Sequence, residues 1–416
     1  MAGRTDLTIL MPCLNEAETI GACIDEAKVY LASHQVTGEV LIADNGSSDG
    51  SVAIAMARGA RVISVSARGY GSVLRSGILR AEGKWIIMGD ADNSYDFEHL
   101  QAFVEALQGG ADLVMGDRFA GGIEPKAMPP LHRYLGTPVL SWLGRRILKS
   151  KIHDFQCGLR GLRRAAMLEL DLQSMGMEFA SEMVIKAERA GLRIEQVPTT
   201  LRPDGRSRRP HLNTWRDGWR HLRLLMVYAR QSHYLVPGIG GLTLGIVLEA
   251  LLIPGQLFLG PIRLAVGTSI IGLLLCLVGT QIIFLGVATK DYAQRNQYSD
   301  CPAWRYGNFF TTQTIFRISL LLLTVGGLGL LHVIALWDAN SLRYLSTASI
   351  TGIFVPVATV LVIASTGVFT VLMSVLDEPA GRMSESELRT HIRAHSRPVQ
   401  LVEVSVAPVL VGSWPT

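Results

Sequence analysis

An α/β fold, a mostly parallel Rossmann-like sheet with helices on both faces followed by an all-α transmembrane region, is what the sequence predicts. Three observations carry this prediction. Apolar runs of strand length alternate with helical stretches through the first half of the chain. Several of these runs end in loops rich in Asp, Asn and Gly. From Tyr234 to Leu376 long apolar stretches replace the alternation, and a polar tail follows. The expected organisation is therefore a catalytic-type α/β domain over 1–230, a membrane domain over 231–376 and a tail over 377–416. The 416 residues are 49% hydrophobic with a mean hydropathy of +0.29, high for a soluble enzyme and unevenly spread.

Leu7 to Met11 reads as a buried first strand, Pro12 to Glu16 as the loop at its end and Ala17 to Ser33 as a helix. Glu39 to Ala43 is the second strand, ending in the turn formers and carboxylates of Asp44 to Gly50. A short helix leads to a strand over Arg61 to Val65, then to Arg68-Gly69-Tyr70-Gly71-Ser72 and a helix to about Ala81. Lys84 to Met88 is a strand that runs into Gly89-Asp90-Ala91-Asp92-Asn93-Ser94. Asp112 to Met115 is a further strand, followed by Gly116-Asp117-Arg118-Phe119 and a Gly/Pro-rich loop to Pro130. Leu131 to Lys149 is apolar and basic at helical spacing; it reads equally as a surface helix packed on the core and as a helix lying in a membrane interface. His153 to Arg160 returns polar groups toward the sheet edge, Glu178 to Ala190 is a helix and Arg193 to Thr200 a late strand. A basic loop, Arg202 to Arg209, precedes a helix over Trp215 to Tyr228 in which Trp215 and Trp219 interleave with Arg216, Arg220 and Arg223. Aromatic and basic residues just before an apolar span suit a bilayer interface.

Four apolar spans follow: Leu235–Ile253, Leu264–Val287, Ile315–Leu336 and Ile350–Leu376. Each reaches or approaches the roughly 20 residues that cross a hydrocarbon core. Arg220, Arg223 and Arg230 before the first span, with Lys290, Arg295 and Arg305 between the second and third, predict a cytoplasmic start; the outer loops carry only Arg263 and Arg343. An even number of spans returns the tail to the cytoplasm. Glu249 and His332 lie toward the outer ends of their spans and read as functional groups or as side chains reaching the interface.

The net charge of +4 clusters before the first span, which points to phosphate or anionic lipid and away from nucleic acid. Cys13, Cys23, Cys157, Cys276 and Cys301 are odd in number and lack metal-site spacing, so no disulfide framework is implied and a reducing cytosol suits the soluble part. No apolar signal region opens the chain.

The centre of the chemistry is Asp90-Ala91-Asp92. A strand puts alternate side chains on one face, so the two carboxylates can point together. Paired hard oxygen ligands at the C-terminal edge of a sheet suit Mg²⁺ or Mn²⁺ shared with a diphosphate. The same Asp-x-Asp pattern also occurs in solvated turns, so its neighbours decide. Those neighbours are Pro12-Cys13-Leu14-Asn15-Glu16 and Ala43-Asp44-Asn45-Gly46-Ser47-Ser48-Asp49-Gly50, in order on successive strands. Together they resemble the family-2 glycosyltransferases of the GT-A fold. Asp154-Phe155-Gln156-Cys157-Gly158-Leu159-Arg160, then Arg202-Pro203-Asp204-Gly205-Arg206-Ser207-Arg208, then membrane helices resemble the polyprenyl-phosphate sugar transferases, the dolichyl-phosphate mannose synthase and dolichyl- or undecaprenyl-phosphate glucosyltransferase group.

That resemblance implies a UDP- or GDP-sugar donor, a polyprenyl phosphate acceptor, a divalent cation and inversion at the anomeric carbon. It implies that Pro12, Leu14, Glu16, Ala43, Asp44 and Asn45 hold base and ribose, and that Asp90, Ala91 and Asp92 sit at the ribose and metal. Arg118, Arg202 and Arg208 would contact phosphates, and Asp154 would position the acceptor or its basic partners. Ser94 stands where some mannose synthases have glutamine and is the third metal candidate. Relatives often have consecutive aspartates where this chain has Asp44-Asn45, and a lysine where it has Arg208. Structural roles stand beside these: Asp49 as a helix cap, Asn15 as a turn former, Arg160 as a surface ion pair and Glu182 with Lys186 as a helix pair. Two rival functions are a processive polysaccharide synthase, whose Gln-x-x-Arg-Trp signature is missing from the sequence, and a non-catalytic membrane partner of lipid-linked sugar transport. A homo-oligomer is compatible with the sequence and not specified by it.

Overall fold

The computed structural model describes residues 5–208, 214–295, 311–339 and 346–376. Arg209, Cys301, Arg305, Arg343 and the 377–416 tail lie outside the described residues, and with them part of the basic loop and of the charge asymmetry.

Strands and helices alternate: β1 (Leu7–Cys13), α1 (Ile20–Ser33), β2 (Gly38–Asp44), α2 (Ser51–Ala57), β3 (Arg61–Ser64), α3 (Tyr70–Arg80), β4 (Trp85–Met88), α4 (Gln101–Gln108), β5 (Leu113–Asp117) and the short α5 (Arg118–Gly121). A π-helical turn (His132–Gly136) leads into α6 (Thr137–Leu148), then β6 (Arg160–Arg163), α7 (Arg164–Glu169), α8 (Phe179–Arg189), β7 (Ile194–Pro198) and α9 (Thr214–Tyr228). The strands form one sheet in the order β3-β2-β1-β4-β6-β5-β7, parallel except for β6. Strand β6 is not expected from the sequence, in which polar groups return over His153–Arg160 and nothing marks Gly161 to Arg163 as a strand. Its Arg-Gly-Leu-Arg has no apolar periodicity, and only pairing with β4 and β5 on either side makes it a strand.

The period of two along each strand divides the core. Leu7, Ile9 and Met11 of β1 join Ile24, Tyr30, Phe97 and Phe103 on one face of the sheet. Leu10 points the other way and joins Leu74, Ile78, Phe155, Phe179 and Met183. Helices therefore cover both faces, as expected for a mostly parallel sheet. The Gly/Pro-rich loop after α5 is pinned by a bridge between Ile123 and Leu201.

After α9 the chain forms α10 (Ser232–Leu251), a hairpin of β8 (Leu257–Leu259) and β9 (Ile262–Leu264), α11 (Val266–Arg295), α12 (Thr312–Ala339), the short α13 (Thr347–Ser349), a second π-helical turn (Ile350–Phe354) and α14 (Val355–Leu376). Four of these segments are helices long and apolar enough to cross a membrane. The hairpin takes the first residue of the expected second span, so that helix begins at Val266. Helices α10 and α11 approach closely through glycine: a Cβ on Gly279 would lie 2.5 Å from the backbone nitrogen of Leu242. Glu249 does not reach out to an interface. It is buried, and Thr359 of α14 donates to its Oε1 at 2.6 Å. A third cluster, including Ile147, Ile185, Leu225, Tyr228, Tyr234 and Ala293, joins the α/β part to α10 and α11. Arg223 adds a cation–π contact, 4.8 Å from the Tyr292 ring centroid.

Candidate active site

The sheet topology gathers the chemistry at one edge. Strands β1, β2, β4, β5 and β7 all end there, and antiparallel β6 begins there, with Arg160 opposite both Met88 and Met115. The loops carrying Leu14–Glu16, Asp44–Gly50, Gly89–Asp96, Arg118, Asp154–Gly158 and Arg202–Arg208 therefore share the carboxyl edge, where ligands of such sheets bind.

On the β1–β2 side, Pro12 lies opposite Ala43 in the ladder. Asp44 is buried and accepts from the backbone N–H of Gly46 at 2.9 Å and Ser47 at 3.1 Å. Asn45 is committed on both sides of its amide. Its Nδ2 donates to the carbonyls of Val65 and Ala67, each at 2.9 Å, and its Oδ1 accepts from Gly69 N at 2.9 Å. An aspartate could not donate to those carbonyls, which gives the departure from consecutive aspartates a physical reason. Gly69 has φ of 126°, and a Cβ there would lie 2.2 Å from the Met175 carbonyl. Asn15 does shape its turn: φ is 58° and Oδ1 accepts from Ser48 N at 2.8 Å. Asp49 accepts from Ser51 N, the first residue of α2, and from Ala17 N, so it ties two loops together; Gly50 and not Asp49 stands at the N-cap.

Strand β4 ends at Met88, so loop geometry and not strand alternation sets the aspartate pair. Tyr70, which opens α3 directly after the Gly69 that Asn45 tethers, donates to Asp90 Oδ1 at 3.1 Å. Ser94 donates to Asp92 Oδ1 at 2.5 Å, and Arg206 donates to Asp92 Oδ2 at 2.6 Å. Burial, followed by the charge of Asp92, pushes the Asp90 carboxyl up to about 6. Burial also raises Glu16, an effect that Arg206 and Arg208 only partly offset. The Ala91 carbonyl accepts from Thr19 Oγ1 at 2.7 Å, fixing the backbone between the aspartates.

On the β5–β6 side, Arg118 and Asp154 form a buried two-pronged pair with separations of 2.6 and 2.9 Å. Asp154 thus holds the Arg118 guanidinium in place. Arg160 is corrected by the structure: it is 0% exposed, not a surface ion pair, and donates to the carbonyls of Cys157 at 2.8 Å, Ala180 at 2.5 Å and Phe155 at 3.1 Å. It holds the Asp154–Gly158 loop from beneath. Glu182 and Lys186 are the expected helix pair at 3.1 Å, but buried, and Glu182 also accepts from Gln173 N and Ser174 N. Gln156 donates to Ser181 Oγ at 3.2 Å, and Ser181 Oγ lies 2.8 Å from His221 Nδ1 of α9.

The basic loop divides its arginines. Arg202 is turned to Glu26 and Asp96 and so anchors the base of the loop, apart from the Asp90–Asp92 pair. Arg208 donates to Glu16 Oε1 at 2.7 Å and to the Leu14 carbonyl at 3.0 Å. Sequence reasoning gave Tyr70, Arg206 and His221 no individual role at the site. Each stands in a legible loop or helix, but no spacing rule aims it at its partner.

The donor set fits a hard divalent cation. Burial, and after it the charge of Asp92, raises the Asp90 carboxyl, and the buried Oε2 of Glu16 accepts no hydrogen bond. Among the described residues no group of three or more metal-ligating side chains forms, so phosphates and water would complete the coordination.

The model of glycosyl transferase family 2 matches residues 8–170. A low-salt glycan biosynthesis hexosyltransferase, Agl6, of Haloferax volcanii is 36% identical over 315 residues, 76% of this chain and 74% of that protein. The chain belongs to glycosyltransferase family 2. It is accordingly an enzyme, a glycosyltransferase whose mostly parallel sheet is of the GT-A type. This family-2 glycosyltransferase is also 29% identical over 198 residues to a dolichyl-phosphate hexose transferase of H. volcanii, 47% of this chain and 83% of that one. Among solved structures it is similar to a glucosyl-3-phosphoglycerate synthase of Mycobacterium tuberculosis, with a TM-score of 0.45, 24% identity and coverage of 54% of this chain and 80% of that one.

Proposed function

We propose that this glycosyltransferase moves a hexose from a nucleotide-diphosphate sugar to a polyprenyl phosphate at a membrane surface. The observation that carries the reading is the edge itself: the Asp90–Asp92 pair and the Arg118–Asp154 pair share it, and the loop leaving β7 there leads to α9 and the first apolar helix. The dolichyl-phosphate hexose transferase among its relatives supports the acceptor class.

Asp90 and Asp92 would hold Mg²⁺ or Mn²⁺, with Ser94 orienting Asp92. When bound, the cation supplies charge neutralisation to the leaving diphosphate. Pro12, Leu14, Ala43, Asp44 and Asn45 line the base and ribose side. Arg118, held rigid by Asp154, presents a phosphate-binding group to the acceptor, where a planar guanidinium suits paired oxygens. The acceptor phosphate is already anionic near neutral pH, so no strong protein base is needed. Its oxygen bonds the anomeric carbon as the bond to the diphosphate oxygen breaks, with inversion.

Membrane contact extends beyond the spans. The π-helical turn that leads into α6 is linked to α9 by a 2.9 Å contact between His132 and Thr214, and both segments leave aromatic side chains exposed: Tyr134 of the turn and Trp142 of α6 on one side, Trp215 at 80% and Trp219 at 58% on the other. Arg133, Arg145, Arg146 and Lys149 accompany the first set, and Arg216 and Arg220 the second. This composition suits a headgroup layer. The Arg/Lys distribution supports a cytoplasmic sheet domain and an integral membrane enzyme.

The test is incubation of membranes containing the enzyme with labelled UDP- and GDP-sugars, followed by identification of the product. A labelled lipid phosphate sugar is expected. A water-soluble polymer, or no transfer from any nucleotide sugar, would overturn the proposal.

A further inference from the structure

The loop leaving β7 places one arginine, Arg206, directly on the carboxylates. Its Nη2 donates to Asp92 Oδ2 at 2.6 Å and its Nη1 to Glu16 Oε1 at 3.2 Å. Asp204 accepts from the same guanidinium at 3.2 Å. The backbone on either side is fastened down. Gly205 N donates to the Asp92 carbonyl at 2.9 Å, and Ser207 N donates to Glu18 Oε2 at 2.7 Å. The guanidinium is thus held against an oxygen of a carboxylate that the proposed reaction gives to a divalent cation. Two cations on one carboxylate repel, so they compete.

The pair does not behave as a finished structural salt bridge. The buried Glu16 Oε2 accepts no hydrogen bond, and the Asp90 carboxylate, two residues before Asp92, receives no guanidinium among the described residues. Arg208 also pairs with Glu16, but only Arg206 reaches Asp92, so two guanidinium groups face the three carboxylates of Glu16, Asp90 and Asp92. A diphosphate with its cation would both complete the compensation and offer Arg206 paired oxygens.

We propose that Arg206 is the counter-ion of the ligand-free carboxylates and a diphosphate ligand of the loaded site: the arriving cation takes its place on Asp92, and the guanidinium turns to the donor's phosphates. This inference rests on the assignment of Asp90 and Asp92 to the cation. It differs from a simple clamp because it requires metal and arginine to oppose each other until the nucleotide arrives.

The experiment measures Mn²⁺ binding to the detergent-solubilised, ligand-free full-length enzyme by electron paramagnetic resonance. Binding of UDP and GDP is then measured in saturating Mn²⁺. Arg206→Gln is expected to bind Mn²⁺ about tenfold tighter than the wild type and the preferred nucleotide about tenfold weaker, the scale of one charge-assisted hydrogen bond. Arg206→Lys, which keeps the charge but not the two-handed reach, is expected to lie between them for Mn²⁺. A merely structural arginine would weaken both affinities when replaced. Mn²⁺ affinity that is unchanged or weaker in Arg206→Gln overturns the proposal. Asp92→Asn separates the two readings. If it abolishes Mn²⁺ binding while Arg206→Gln leaves binding unchanged, only the exchange fails. If Mn²⁺ binds Asp92→Asn as tightly as the wild type, the metal assignment fails and the exchange falls with it.

Discussion

Arg118 grips both carboxylate oxygens of Asp154, from Nε at 2.6 Å and Nη2 at 2.9 Å, with Asp154 0% exposed. Removing one partner of such a pair strands a charge in the interior. Asp154→Ala is therefore expected to lower unfolding stability by about 3–5 kcal/mol. Asp154→Asn, which retains the shape, should fold but lose transfer through a poorly held Arg118. Chemical denaturation and acceptor kinetics on the same preparations check this; wild-type acceptor kinetics in Asp154→Asn would remove Asp154 from the site.

Asp92 accepts from Ser94 on one oxygen and from Arg206 on the other, so both oxygens are oriented. Asp92→Asn keeps the size but not the charge. It should lower transfer by at least about a hundredfold, or roughly 3 kcal/mol of transition-state stabilisation. Steady-state rates on folded protein decide it, and near-normal turnover would sink the assignment.

Asn45 joins the ends of β2 and β3 to Gly69, and the next residue, Tyr70, reaches Asp90. Asn45→Asp would set a carboxylate against two carbonyl oxygens. A loss of about 1–3 kcal/mol in stability and a raised donor KM are expected. Introducing aspartate here should thus harm this enzyme; a gain in donor affinity would refute that account.

His221 is buried beside Ser181, and burial, together with the charge of Arg160, pushes its pKa down to about 4, although Asp217 opposes the change. The folded value lies below the unfolded value of about 6.5, so stability is full above that value and is lost as pH falls from about 6.5 toward 4. The loss should approach roughly 3 kcal/mol, because each tenfold weakening of proton binding in the folded state corresponds to about 1.4 kcal/mol. Thermal unfolding of wild type and His221→Asn between about pH 7 and 4.5 tests it. The variant should show a shallower decline, and parallel curves would show that His221 is not responsible.

Trp219 is exposed on α9 while Leu224 and Leu225 of the same helix are buried. Trp219→Ala should weaken use of a long-chain acceptor by about tenfold and leave a short, water-soluble acceptor nearly unaffected, because it removes interfacial anchoring and not donor binding. Equal loss with both acceptors would point to a folding defect instead.

The strand-length apolar runs, their polar loop ends and the four spans determined the layered α/β architecture, its carboxyl edge and the four long apolar helices, because burial imposes periods that a linear chain displays. The order of Pro12–Glu16, Asp44–Gly50, Asp90–Asp92 and Asp154–Arg160 likewise marked loops that the fold gathers at that edge. What the tertiary structure alone decided is which polar atoms meet. Strand β6 exists because two flanking strands offer it hydrogen bonds, and Arg160 is buried because three carbonyls converge on it. Arg202 and Arg206 stand in one basic loop, yet the first anchors to Glu26 and Asp96 while the second lies on Asp92. Composition registers both as cations. Their separate partners depend on where α1, β4 and β7 end in space, and hydrogen bonds and ion pairs are short-ranged and directional, so sequence spacing does not encode them.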